Sequence, residues 1–175
     1  MQKGWQYEFS DGYKLICGTL SFICMFPQYW DFIKEKIEDG SVCFLDKVRN
    51  EILAPSKKDD LANWIERIEV KNLIHHNEQE IIYVYAQIMQ SIQNDKRYKE
   101  SAIEEWSRKD VADPWLIAAA KVYGLKVVTF ESHNNNLNAI NPSRKAKIPD
   151  IAQSFGVQTL NLYDMLKELG FGTHR

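Results

Sequence analysis

Four acidic residues stand at places in the sequence where a sheet of parallel strands would bring them together. Asp11 and Glu131 each end a short segment with strand character, Glu51 lies on the predicted helix after another such segment, and Asp113 opens an alanine-rich helix. Carboxylates that share one cleft repel one another and raise each other's pKa, so a bound cation favours such a group. Oxygen-only ligands select hard ions, which predicts Mg²⁺ or Mn²⁺. The predicted chemistry is hydrolysis of a phosphodiester by a water that the ion activates.

Each acid also has a purely structural interpretation. Asp113 precedes Pro114 and could serve only as the N-cap of its helix, a role worth about 1 kcal/mol. Glu51 could be a solvated helix residue, Asp11 could make a turn with the glycine after it, and Glu131 could leave its strand for water. Only the placement of several acids at one sheet edge favours a site over these alternatives.

The elements that must position these acids alternate between strands and helices. Apolar periodicity, helix-opening prolines and closing glycines define their ends. The alternation predicts a three-layer α/β/α fold with a mainly parallel central sheet, formed by residues 1–175 as a single domain. Polar, asparagine-rich residues 133–149 predict a long surface loop. The predicted strands are 6–10, 41–45, 125–130 and 157–161, and the predicted helices are 27–40, 46–53, 57–68, 78–93, 113–124, 150–155 and 162–170.

Charge and cysteine content limit the class of protein. The net charge of -2 excludes a uniformly basic nucleic-acid binder, so any phosphate-binding surface must be local. Three cysteines, an odd number among apolar neighbours, predict buried reduced thiols and a cytoplasmic protein. The apolar run 15–26 is too short to cross a bilayer, so no membrane association is expected. The adjacent His75 and His76 lack other spaced metal ligands and are expected to be surface residues.

Several segments resemble one protein family. The stretch DPWLIAAAKVYGLKVVTFE (113–131) resembles the part of PIN-like nuclease domains in which an aspartate opens an alanine-rich helix, a glycine closes it, and a strand ends in Thr-x-Asp or Thr-x-Glu. The segments FPQYWDFI (26–33), DKVRNEI (46–52) and KAKIPDIAQSFGVQTLNLYDMLKELG (145–170) are similar to other parts of a prokaryotic toxin-type subgroup of this family, the VapC-like toxins. The resemblance covers nearly the whole chain.

The resemblance implies a role for each acid. Asp11, Glu51 and Asp113 would be the first, second and third metal-binding and catalytic acids, Glu131 a fourth, and Thr129 the hydroxyl beside it. The implied activity is that of a Mg²⁺- or Mn²⁺-dependent endoribonuclease that leaves a 5′-phosphate and a 3′-hydroxyl. The implied partners are RNA, an antitoxin protein and a second copy of the chain.

The first acidic motif departs from the family pattern. Asp11 is followed by Gly12, Tyr13 and Lys14, where the family has small polar residues. Outer-shell partners of this kind typically change metal affinity or activity ~10- to 100-fold. An alternative is therefore a catalytically degenerate PIN-like module that binds RNA or protein. A nuclease directed at DNA on the same scaffold is a further alternative.

RNA contacts are expected from basic residues near loops and helix ends, because Lys and Arg supply most contacts to phosphates. For each cluster taken singly, a solvated loop is the structural alternative. Lys14 could instead place a positive charge near the metal and compete with it. The candidate RNA-binding residues are Lys14, Lys57, Lys58, Arg144, Lys145 and Lys147.

Overall fold

A computed structural model of the protein describes residues 27–54 and 60–172. Within these ranges the chain is a mixed α/β structure with eight helices and four short strands. The helices are α1 (Pro27–Glu38), α2 (Asp46–Ile52), α3 (Asp60–Glu66), α4 (Gln79–Asn94), α5 (Glu100–Trp106), α6 (Asp113–Tyr123), α7 (Ile148–Ser154) and α8 (Leu162–Glu168), and the strands are β1 (Phe44–Leu45), β2 (Leu73–Ile74), β3 (Val127–Val128) and β4 (Thr159–Leu160).

The strands form two parallel pairs. β1 pairs with β2, so that Phe44 lies opposite Leu73. β3 pairs with β4, so that Val127 lies opposite Thr159. The predicted parallel orientation of the strands is confirmed, but the strands are shorter than predicted and, within the described residues, form two separate pairs rather than one central sheet. The strand predicted at residues 6–10, with Asp11 after it, lies outside the described residues.

Successive residues of β1 and β3 face two different hydrophobic cores. Leu45 and Val127 belong to a large core that also takes residues from α4, α5, α6 and α7. Phe44 and Val128 belong to a smaller core built with α1, α3 and α8. Because side chains alternate between the faces of a strand, these strands are buried on both sides. This burial explains why their sequences are continuously apolar.

Helix α6 packs its small residues against α4. Its alanines and Ile117 are almost fully buried in the large core, and their small side chains allow the two helices to approach closely. Gly124 ends the helix with a φ of 66°, a conformation that favours glycine, and Leu125 N donates to Ala120 O at 2.8 Å. The helix that the sequence predicts here is confirmed.

The N-cap predicted for α6 is wrong. Ala112 occupies the N-cap position, Asp113 is the first helical residue, and the helix has no side-chain cap hydrogen bond. In α2, likewise, Leu45 occupies the N-cap and Asp46 begins the helix. Neither acid occupies the N-cap position, and Asp46 Oδ1 instead accepts from the adjacent N–H of Lys47 at 2.7 Å.

Among the described residues, no helix combines the length and the apolar composition needed to cross a bilayer.

Candidate functional site

Three of the four predicted acids lie close enough for their charges to interact. Glu51 lies on α2, Asp113 begins α6, and Glu131 follows β3. Burial, followed in order of size by the charges of Glu131, Glu51 and Glu105, raises the pKa of Asp113 to about 6. The structure therefore brings Asp113 into the shared electrostatic field of Glu51 and Glu131. Asp11, Lys14, Lys57 and Lys58 lie outside the described residues.

Asp113 has no structural partner in the part of the chain that the structure describes. Its side chain is half-buried and makes no hydrogen bond or ion pair with these residues. A carboxylate in that environment is destabilised in its charged form, because it loses water without gaining a hydrogen bond or an opposite charge. The interpretation of Asp113 as only a helix cap is excluded. A strongly perturbed carboxyl without a structural role is a candidate functional group.

Glu131 is held in a fixed position by two hydrogen bonds. Its Oε2 accepts from the backbone N–H of Ile148, the first residue of α7, at 2.8 Å. Its own N–H donates to Thr129 Oγ1 at 3.1 Å, and Thr129 is buried at the end of β3. Glu131 therefore does not simply leave the strand for water. The Thr129 hydroxyl orients the backbone that carries the acid.

The segment that follows Glu131 is anchored to α7. Asp150 accepts from the N–H of Asn134 at 3.2 Å and lies 2.9 Å from His133 Nδ1. Lys147 Nζ donates to the carbonyl of Ser132 at 3.2 Å. Since these contacts join both ends of the long polar loop, the position of Glu131 is fixed by α7 as well as by β3.

The donor chemistry of the acids fits a hard divalent cation. The three carboxylates offer only oxygen, the ligand type that Mg²⁺ and Mn²⁺ prefer. Within the described ranges, however, no three His, Cys, Asp or Glu side chains are grouped closely enough to hold a metal ion. Glu51, Asp113 and Glu131 thus interact through their charges without forming a closed coordination sphere among themselves.

The predicted basic residues of the loop fall into two types. Arg144 and Lys145 are exposed, in accord with a surface loop. Lys147 is only partly exposed and is bound to the Ser132 carbonyl, so part of its role is structural. Of the three cysteines, Cys43 lies in the described residues, where it is 1% exposed. The expectation of a buried cysteine is confirmed at that position.

Glu105 is a fourth acid near Asp113 that the sequence did not indicate. It lies on α5, a seven-residue helix that the sequence analysis did not predict. Only Ala102 and Trp106 of that helix are fully buried, so its apolar residues give no clear periodicity. No sequence signal distinguished Glu105 from its exposed neighbour Glu104.

The helix that carries Glu51 is fixed at its first residue by a histidine. His76 Nδ1 lies 2.8 Å from Asp46 Oδ2, and His76 N donates to Asp46 Oδ1 at 3.2 Å. Burial alone would raise the pKa of Asp46, but the hydrogen bonds from His76 outweigh it and hold that pKa below its usual value. His75 is exposed as expected, whereas His76 is half-buried and contacts the Trp115 ring edge-on. His76 therefore joins α2 to α6.

We expect His76→Ala to lower the free energy of unfolding by about 1–2 kcal/mol, because it leaves the half-buried Asp46 carboxylate short of a partner. A carboxyl with a lowered pKa stabilises the folded state above its unfolded pKa of about 3.9, and that contribution is lost as the pH falls through the folded value. The deficit of the variant should therefore be full near neutral pH and small below about pH 3. Urea unfolding at several pH values measures it.

His75→Ala is the matched control, because the His75 imidazole is exposed and its longer contact with Asp46 is 3.5 Å. Its expected effect is below about 0.5 kcal/mol. Equal losses in the two variants would contradict the role assigned to His76.

Comparison with known proteins identifies one family, and its model matches most of the chain. The family model DUF4411, described as a domain of unknown function, matches residues 21–173. The matched range contains Glu51, Asp113 and Glu131, whereas Asp11 lies before it. No curated protein and no solved structure matches the chain.

Proposed function

The chain belongs to the DUF4411 family, and we propose that it is a metal-dependent endoribonuclease that acts as the toxin of a toxin–antitoxin pair. The observation that carries this proposal is Asp113, whose pKa is raised to about 6 by burial and by Glu131 and Glu51. Within the described residues, no hydrogen bond and no ion pair stabilises its charge. An arrangement that destabilises a charged carboxylate is accounted for if the site binds a cation.

The proposed fold is the three-layer PIN-like arrangement. Two observations support it: the strand pairs are parallel, and residues of β1 and β3 alternate between two cores that contain different helices. In such a fold the residues that follow strands gather at the carboxyl edge of the sheet. Glu131 follows β3 in this way, and Glu51 follows β1 by way of α2.

Each acid has a proposed part in binding a cation and positioning RNA. Asp113, Glu51 and Glu131, together with Asp11, would hold Mg²⁺ or Mn²⁺, which when bound activates water and neutralises charge on a phosphodiester. Glu131 presents a carboxylate whose Oε2 is already fixed by Ile148 N, so the other oxygen is oriented before any ligand arrives. Thr129 positions Glu131 through its hydroxyl.

The proposed partners follow from the proposed activity and the family resemblance. RNA is the substrate, and Arg144 and Lys145 are exposed where phosphates can reach them. An antitoxin protein and a second copy of the chain are proposed on the resemblance alone.

The test is cleavage of an unstructured RNA by the full chain. We expect cleavage with Mn²⁺ or Mg²⁺, 5′-phosphate ends on the products, no cleavage in EDTA, and a higher melting temperature when the ion is added. The ion should stabilise the protein because it binds the folded state preferentially. Cleavage that persists in EDTA would contradict the proposal.

Two other results would favour the alternatives. RNA binding with neither cleavage nor stabilisation by divalent ions would identify a non-catalytic binding module. Faster cleavage of single-stranded DNA than of RNA in a competition assay would identify a DNA-directed nuclease.

A further inference from the structure

Two basic segments that are distant in the sequence lie side by side. Lys99 N donates to Ser143 O at 2.8 Å, and Ser143 N donates to Arg97 O at 2.8 Å. Tyr98 and Ser143 form an isolated parallel bridge. The connection between α4 and α5 is thereby joined to the end of the polar loop. Of these two segments, only the loop was predicted from the sequence to bind RNA.

A buried tyrosine sets the direction in which the basic side chains point. Tyr98 is 9% exposed and belongs to the large core, whereas Arg97 and Lys99 on either side are exposed. Alternation along an extended segment produces this pattern. On the other segment, Ser101 Oγ donates to the carbonyl of Arg144 at 3.3 Å and holds that backbone against α5.

Four basic side chains on these two joined segments are exposed, and we call them the basic strip: Lys96, Lys99, Arg144 and Lys145. None of them forms an ion pair with an acid in the described ranges, whereas Arg97 is neutralised by Asp95, with Arg97 Nη2 2.7 Å from Asp95 Oδ2. The adjacent acid is Glu100, next to Lys99 in the sequence. In a chain of net charge -2, this excess of positive charge is a local feature.

The basic strip is continuous with the acidic site. From Arg144 the chain passes Lys145 and Lys147 to Ile148, whose N–H binds Glu131. Four residues of extended chain span at most about 14 Å. The backbone of Arg144 therefore lies at most about 14 Å from that of Ile148, the residue that binds Glu131. A polymer bound along the strip passes this close to the acid.

We propose that the basic strip binds the phosphates of the RNA strand whose cleavage occurs at the acids, an inference that rests on the proposed function. Lys and Arg side chains without partners are the usual source of phosphate contacts. The core of a protein–protein interface is instead poor in lysine and rich in aromatic residues. The strip contains three lysines, and the aromatic residue beneath it, Tyr98, is buried. An RNA backbone therefore fits the strip better than an acidic protein segment does.

The experiment compares two variants of the full chain that lose the same charge. The strip variant carries Lys96→Ala, Lys99→Ala, Arg144→Ala and Lys145→Ala. The control variant removes one arginine and three lysines that are also exposed, at the ends of α3, α6 and α8 and before β2, away from the carboxyl ends of the strands: Arg67→Ala, Lys71→Ala, Lys121→Ala and Lys167→Ala.

Binding is measured in EDTA with an unstructured RNA of about 20 nucleotides at several salt concentrations. Each phosphate contact to a single strand contributes about 0.7 to the slope of log affinity against log salt, so the strip variant should lose a slope of about 2–3. We expect its affinity to fall at least about 10-fold at 100 mM salt, and the control variant to fall much less. Equal losses in the two variants, or no loss in the strip variant, would overturn the proposal. A larger loss for polyglutamate than for RNA would overturn it as well, because the strip would then bind an acidic polypeptide.

A short substrate separates this proposal from the proposed function. A dinucleotide carries a single phosphodiester, so it cannot occupy the acids and also place further phosphates on the strip. The strip variant should therefore slow cleavage of the long RNA much more than cleavage of the dinucleotide. Cleavage of long RNA that is unchanged in the strip variant would overturn the strip and leave the nuclease standing. Strip-dependent RNA binding without any cleavage would support the strip and overturn the nuclease.

Discussion

Asp113→Asn is expected to lower metal-dependent RNA cleavage at least about 100-fold, since even outer-shell partners of metal ligands typically change activity ~10- to 100-fold. Asparagine keeps the shape of the side chain but cannot carry the negative charge that a divalent ion requires. Of the three acids that interact in the described structure, Asp113 is the one with neither a hydrogen bond nor an ion pair there, so its removal breaks no such structural contact. Loss of cleavage would therefore report on the site rather than on folding.

The same substitution is expected to stabilise the protein. A folded pKa of about 6 against an unfolded value of about 3.9 means that ionised Asp113 costs up to about 3 kcal/mol at neutral pH. Because the folded pKa is raised, the folded state is favoured below the unfolded pKa, and that advantage is lost as the pH rises through about 6. Asp113→Asn should thus gain about 1–3 kcal/mol above about pH 7 and almost nothing below about pH 4.

Urea unfolding of both proteins in EDTA at several pH values measures this gain, and a cleavage assay with Mn²⁺ measures the loss. Asp110→Asn is the matched control, because Asp110 is exposed and paired with Arg108. It should give neither stabilisation nor loss of cleavage. A variant at Asp113 that is less stable than the unmodified protein at neutral pH would contradict the environment described for this carboxylate.

Ile117→Ala is expected to lower the free energy of unfolding by about 2–5 kcal/mol, the usual range for truncation of a fully buried isoleucine. Ile117 is 0% exposed and lies one turn after Asp113 on the same face of α6. Its removal leaves a cavity between α6 and the neighbours that hold the helix in the large core. The loss should be of similar size at every pH at which the protein remains folded, because no titratable group is changed.

Chemical denaturation measures the loss, and the slope of the transition should remain constant if the denatured state is unchanged. Lys121→Ala on the same helix is the control, since Lys121 is exposed, and its effect should stay within about 0.5 kcal/mol. A loss below about 1 kcal/mol at Ile117 would indicate that the helix shifts to fill the cavity.

Local signals in the sequence were enough to predict most helices. The ends of α6 follow from its apolar run and from Gly124, and α1 follows from Pro27 and the glycine after its last turn. These features are physical constraints that act within a few residues of each other. β2 and α5 were not predicted. β2 has only two residues, and α5 buries just Ala102 and Trp106, so neither shows a period long enough to detect.

The proximity of three acids could be predicted from topology, but their contacts could not. Topology predicted that Glu51, Asp113 and Glu131 would lie near one edge, and the electrostatic effect on Asp113 agrees with that expectation. The hydrogen bond from Ile148 to Glu131 joins residues that the polar loop separates, and the one from His76 to Asp46 joins β2 to α2. Such contacts depend on how distant elements pack, and nothing in the neighbouring sequence specifies them.

Residues 131–134 are anchored to α7, so the position of Glu131 does not depend on the sequence of the asparagine-rich loop that follows. We call residues 135–142 of this loop the excursion. The excursion departs at Asn134, bound to Asp150, and returns at Ser143, bound to Arg97 and Lys99. Residues 135–142 therefore begin and end at fixed points. Because extra length in a surface loop adds little closure entropy, homologous chains can lengthen, shorten or rewrite this stretch while Glu131 keeps its place.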